Sequence, residues 1–145
     1  VWAPPRFGSG KTVSGLVQQM DLGPTILNWA GVEVPPELEA VSLAAALEDP
    51  DSFQGRPYVY CEQVKDAVLT GCEFMTMVRD KTHKLVHFLD ETDGQLFDLV
   101  DDPDELKNRW NDPDAEQHKH RLLTELREWR IRSGVHTKDW CKDHR

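Results

Sequence analysis

Between Met77 and Phe97 the apolar residues come in adjacent pairs: Met77 with Val78, Leu85 with Val86, Leu96 with Phe97. Polar turns separate them, at Asp80-Lys81-Thr82 and from Asp90 to Gly94. Neighbouring strand residues point to opposite faces, so paired apolar positions make a sheet that is apolar on both sides; a sheet wet on one side would alternate. The pattern predicts strands at Tyr58–Glu62, Phe74–Arg79, His83–Leu89 and Gln95–Leu99. The turns joining the last three are short enough for antiparallel neighbours. In the first strand Val59 and Cys61 share one face, and Tyr58, Tyr60 and Glu62 share the other. One helix covers one face only, so a part of the protein outside this sheet has to cover the second.

Two helix starts carry the same signal. Asp102-Pro103-Asp104-Glu105 and Asp112-Pro113-Asp114-Ala115 each place a capping residue before Pro at the first helical position. The last helix is expected to end near Ser133, with Leu122, Leu126 and Trp129 on one stripe facing the sheet. Arg127, Arg130 and Arg132 fall late, as the helix dipole favours, and Gly134 serves as the stop.

Towards the N-terminus, Val1 to Ala3 reads as a strand remnant ended by Pro4-Pro5, and Val13 to Gln18 as a further short strand. Asp21 is expected to cap a helix with its carboxylate, with Pro24 harmless in the first turn and Gly31 as the stop. Leu22, Ile26 and Trp29 would form its apolar face, and Ser42 would cap a short helix through Leu47. The polar stretch Glu48-Asp49-Pro50-Asp51 suits a linker, which divides the chain into residues 1–50 and 51–145.

Composition narrows the function classes. The formal charge of -9, with no basic stripe to offset it, argues against a nucleic-acid partner. No apolar run approaches the roughly 18 to 20 residues that span a membrane, so no membrane partner is expected. Cys61, Cys72 and Cys141 are too few and too scattered for a disulfide scaffold, and their spacing fits no zinc pattern. The chain opens on Val1 inside an expected strand, without Met or signal peptide, and reads as a piece of a larger protein.

Some strings imitate known chemistry. Gly8-Ser9-Gly10-Lys11-Thr12 resembles part of a phosphate-binding loop, but the Gly needed seven residues before the Thr is Pro5, and Val13-Ser14-Gly15 is a poor helix start. A surface loop is the better account. His83-Lys84-Leu85-Val86-His87 has the spacing of a zinc-protease helix with Lys84 where the general base belongs. On a strand, residues four apart lie about 13 Å from each other, too far for one ion. His118 and His120, two apart on a helix, are expected to face solvent in different directions. Lys84 and Asp98 sit on neighbouring strands, where they form either a pocket wall or a cross-strand charge pair.

Taken in order, these strings resemble the C-terminal end of a sulfatase of the alkaline phosphatase superfamily. Met77-Val78-Arg79, Lys84-Leu85-Val86, Gln95 to Leu99 and Asp101 to Leu106 match that family's closing strands and turn. Val1-Trp2-Ala3-Pro4 and Met20 to Leu27, ending at Ala30-Gly31-Val32, are similar to its preceding segment, and the likeness runs from residue 1 to about 132. His83 departs from it, standing where the family places an aromatic residue.

The resemblance implies an α/β fold: the tail of a large α/β domain in residues 1–50, then a small antiparallel-sheet subdomain with a C-terminal helix in 51–145. It implies hydrolysis of sulfate monoesters, or of phosphonate or phosphate esters in the same superfamily. The alternative is a non-catalytic α+β interaction module. The parent enzyme would use a formylglycine made from Cys or Ser in a Cys/Ser-x-Pro-x-Arg motif, together with calcium or a similar divalent metal. Neither Cys61-Glu62-Gln63-Val64-Lys65 nor Cys72-Glu73-Phe74-Met75-Thr76 fits that motif. No catalytic or metal residue is therefore carried onto this chain, and the candidate substrate-pocket residues are His83 and Lys84. The expected partners are a small-molecule or glycan sulfate ester and the protein's own N-terminal domain.

Overall fold

The computed structural model describes residues 12–65 and 71–140, with side chains given to residue 135. Val1 to Ala3, the Gly8 to Lys11 string and Cys141 lie outside the described residues. The chain divides into two compact units, Val1–Pro57 and Tyr58–Arg145.

In the first unit a 3₁₀ turn at Gln19–Asp21 leads into α1, Leu22–Trp29, and α2 follows at Ala44–Glu48. The strand expected over Val13 to Gln18 is reduced to a single antiparallel bridge between Leu16 and Arg56. Gly15 and Gly55 explain why the two segments can approach there. A Cβ on Gly55 would lie 2.5 Å from the Leu16 amide, and Gly55 holds a φ of 73°.

Asp21 stands at the N-cap of α1 but makes no side-chain cap bond to that helix. Its carboxylate turns backwards, accepting the Gln18 amide at 2.9 Å and the Val41 amide at 2.8 Å, and it pairs with Arg56. The expected apolar face of α1 is not the buried one either. Pro24 and Thr25 are buried, while Leu22 and Ile26 are exposed. The reason is polar: the Thr25 hydroxyl donates to the Asp21 carbonyl at 2.5 Å and accepts the Leu43 amide at 2.8 Å, which turns that side inward.

The second unit holds β1 (Val59–Val64), β2 (Phe74–Arg79), β3 (His83–Phe88) and β4 (Gln95–Asp98), a four-stranded antiparallel sheet in the order β1-β2-β3-β4. Tyr60, Val78, Leu85 and Leu96 stand opposite one another across it. A helix, α3 (Glu116–Trp140), lays Leu122 and Leu126 onto that row. Leu85 and Leu122 have no exposed surface and Leu96 only 1%, so each contributes about 1.5–3 kcal/mol from burial. Trp129 stacks on Tyr60 with ring centroids 4.4 Å apart, completing the stripe. On the opposite face Val59, Val86 and Phe97 are buried as well, as the paired apolar pattern requires.

Between β4 and α3 the chain corrects one expectation. Asp102-Pro103-Asp104-Glu105 is a turn, not a helix start. The Asp102 carboxylate accepts the Leu106 and Lys107 amides, and Glu105 takes a left-handed φ of 56°, which no helix tolerates. The segment then runs along the open edge of β4. The Leu96 amide donates to Asn108 Oδ1 at 3.0 Å, and the Leu96 carbonyl accepts the Arg109 amide at 2.7 Å. Gly94 allows the closure, because a Cβ there would lie 2.5 Å from the Trp110 ring. Asp112 does cap as expected, accepting the Asp114 amide at 3.0 Å with Pro113 behind it. α3 continues through Gly134 to Trp140, six residues past the expected stop. One interior glycine costs about 1 kcal/mol, too little to end a long helix where no proline follows.

Candidate functional site

The two candidate pocket residues are neighbours at the start of β3, and strand geometry sends them to opposite faces. His83 lies on the α3 side. Its ring stacks on His118 with centroids 4.0 Å apart and an interplanar angle of 12°. Its Nδ1 meets the Thr82 hydroxyl at 2.8 Å, and its Nε2 lies 3.9 Å from the Asp98 carboxylate. Burial first, then repulsion by His118, hold the His83 pKa below its ordinary 6.5 against the pull of Asp98 and Asp80. His118 is therefore a packing residue, with a buried Nδ1, and not the solvent-facing side chain expected. His120 is exposed.

The carboxylates around His83 are held ionised. Asp80 closes the β2–β3 turn by accepting the amides of Thr82 and His83, both at 2.7 Å, and pairs with Arg121 of α3 at 2.7 Å. Burial alone would raise its pKa; those bonds bring it below 3.8. Asp98 behaves alike: burial raises it, the Val100 and Asp101 amides lower it, and His83 and Arg109 add to the lowering. This cluster fastens the sheet to α3.

Lys84 lies on the other face. Its ammonium pairs with Glu105 and sits 5.8 Å from the centre of the Phe97 ring. The register explains why the expected Lys84–Asp98 pair does not form. Asp98 is opposite His83, and Phe97 is opposite Lys84, so Lys84 and Asp98 point away from each other. The left-handed Glu105 that receives Lys84 had no signal in the local pattern. Arg79 stands directly across from Lys84, a like-charge juxtaposition that Glu105 relieves.

Among the described residues no three His, Cys, Asp or Glu side chains converge as a metal site. Two strings have the outer residues of the formylglycine motif, Ser52 to Arg56 and Cys141 to Arg145, but Gln54 and Asp143 stand where Pro belongs. Arg56 is in addition committed to Asp21. The described residues do not fit a formylglycine or a catalytic metal.

Known proteins share this arrangement. A delta 4,5-hexuronate-2-O-sulfatase of Bacteroides thetaiotaomicron is 35% identical over 109 residues, which cover 71% of this chain and 22% of that enzyme. A solved structure described as a complex with its substrate D-glucosamine-2-N,6-O-disulfate superposes with a TM-score of 0.77 at 25% identity, over 91% of this chain and 27% of that one. A phosphonate monoester hydrolase from Silicibacter pomeroyi superposes with a TM-score of 0.73 at 25% identity, over 89% of this chain and 28% of that one. The chain thus spans about a quarter of the proteins it is similar to. A family model described as N-sulphoglucosamine sulphohydrolase, C-terminal, matches residues 1–132. The sheet, the capped α3 and that match together place the chain in this family, the C-terminal part of sulfatases within the alkaline phosphatase superfamily.

Proposed function

We propose that the protein carrying this chain hydrolyses sulfate monoesters, with a sulfated sugar as the substrate class. The observation that supports this best is the joint likeness in sequence and fold to sulfatases, one a hexuronate sulfatase and one holding a disulfated glucosamine. The nucleophile and the metal belong, in this reading, to the preceding part of the protein, where a formylglycine and a calcium-like ion would supply attack and charge neutralisation. Residues 1–50 belong, in this reading, to the tail of the large α/β domain, and 51–145 to a small antiparallel-sheet subdomain with a C-terminal helix. Of the two candidate pocket residues we assign only Lys84 to a substrate wall, since His83 is enclosed between β3 and α3.

The test is turnover of an aryl sulfate and of glucosamine 6-sulfate, with calcium, by the 145-residue chain and by the protein extended upstream. The extended protein should turn over and the 145-residue chain should not. Activity in the short chain that survives Cys61→Ala and Cys72→Ala would refute the assignment. Lys84→Ala in the extended protein should raise KM about tenfold with kcat little changed. The phosphonate hydrolase likeness supports a second reading, which faster turnover of a phosphonate monoester than of any sulfate ester would favour.

A further inference from the structure

Beneath the middle of α3, where it passes over β2 and β3, lies a slot of about 210 Å³ lined by Thr76, His87, Leu123, Leu126, Arg127 and Arg130. Its walls follow from two periodicities. Thr76 and His87 are cross-strand partners and share a face. Residues 123, 126, 127 and 130 are spaced to share one face of a helix. At about 30 Å³ per water in the liquid, the slot has room for a tetrahedral oxyanion with part of the ring that carries it.

Three of the four polar side chains here have no partner among the described residues. The Thr76 hydroxyl, on a residue only 7% exposed, has no hydrogen-bond partner among the described residues, and neither has the His87 ring. Arg127 has no carboxylate partner among them either. Among the described residues Arg79, Lys81 and Lys107 likewise have none, whereas Arg56, Lys84, Arg109, Arg121, Arg130 and Arg132 each have one. Arg130 is fixed at the rim by Glu62 and by the Phe74 ring, 5.6 Å away. The one carboxylate leaves further donors of its guanidinium fork free to bind. Leu123 and Leu126 supply an apolar floor.

We propose that this slot binds a sulfate group. Thr76, His87, Arg127 and Arg130 donate to its oxygens, and the two leucines receive the apolar face of the sugar that bears it. Charge-assisted bonds to a guanidinium are shorter and stronger than neutral ones, so Arg127 carries most of the affinity. The proposal goes beyond the hydrolase reading and does not depend on it: sulfate binding here in a protein with no sulfatase activity would keep this inference and discard the other.

Crystals of the extended protein grown without sulfate and soaked in selenate should show an anomalous peak within hydrogen-bond distance of Thr76 Oγ1 and the Arg127 guanidinium. In calorimetry at fixed ionic strength, Arg127→Gln and Thr76→Val should each remove the sites' heat or weaken it at least tenfold, for inorganic sulfate and for glucosamine 6-sulfate. Arg132→Gln, whose partner is Glu125 outside the slot, should not. Tighter binding of the sugar sulfate than of the free ion identifies a sugar-borne group; equal binding identifies the ion itself. A slot empty of selenate, unchanged affinity in Arg127→Gln, or equal binding of unsulfated glucosamine would overturn the proposal.

Discussion

The two units reach stability by different routes. The unit ending at Pro57 is organised around charge: Asp21, 1% exposed, gathers the Gln18 and Val41 amides and the Arg56 guanidinium, while Thr25 ties Asp21 to Leu43. The unit beginning at Tyr58 is organised around apolar area: Val78, Leu85, Leu96, Leu122 and Leu126 form one contiguous core, with polar bonds at its margins. Apolar packing loses stability in proportion to what is removed, whereas a polar knot fails as a unit. Removing one partner leaves another charge buried without compensation.

The strongest way to test that contrast is Leu122→Ala. Leu122 is fully buried between α3 and the sheet, so truncation should cost about 3–5 kcal/mol, the transfer term plus the cavity. Urea unfolding of the protein carrying this chain measures it. A loss below about 1 kcal/mol would mean that α3 is not what holds the sheet.

A smaller effect, of a different kind, is expected in the first unit. Asp21→Asn should cost about 2–4 kcal/mol, because the partly buried Arg56 is left uncompensated. Burial alone would raise the Asp21 carboxyl, but Arg56 and the two amides hold it below 3.8. The loss should be non-additive: Asp21→Asn with Arg56→Gln should cost less than the sum of the single variants. Hydrogen exchange should place the loosening at the Val41 and Leu43 amides. Additive losses would show that the pair is incidental.

The same contrast governs what could be read from the residues alone. The sheet was legible because Met77-Val78, Leu85-Val86 and Leu96-Phe97 carry its two faces in adjacent letters, and the Leu122/Leu126/Trp129 stripe carried the covering helix. The Asp21–Arg56 pair was not, since it joins residues 35 apart with no local pattern between them. Asp-Pro is ambiguous for a physical reason: the same carboxylate that caps α3 at Asp112 closes a non-helical turn at Asp102. The expected Lys84–Asp98 pair failed on register. Expecting Lys84 opposite Asp98 is one residue out, and one residue exchanges the faces of a strand. The signal for His118 was present in its position four residues before Leu122, on the buried stripe, but two histidines so close in sequence invited a surface reading.

The smallest predicted effect sharpens the comparison at the margin of the apolar unit, where His83 joins the sheet to α3. Facing His83 are His118 and Arg121 from α3, Asp98 from β4, and Asp80 and Thr82 from the β2–β3 turn. Burial and His118 lower its folded pKa below 6.5, despite the two carboxylates. The unfolded chain therefore binds a proton more readily than the folded one. Stability from this group is present above pH 6.5 and is lost as pH falls from 6.5 towards the folded pKa. The carboxylates act later, because Asp21, Asp80 and Asp98 all have folded pKa values below 3.8 and their contributions are lost only under stronger acid. Unfolding free energy should thus fall in two stages on acidification, the first of them due to one histidine. His83→Gln should flatten the first stage and leave the second. His118→Gln should shrink the first without abolishing it, since burial is the larger cause and remains. Parallel curves for wild type and His83→Gln between pH 7 and 5 would show that His83 does not titrate with folding.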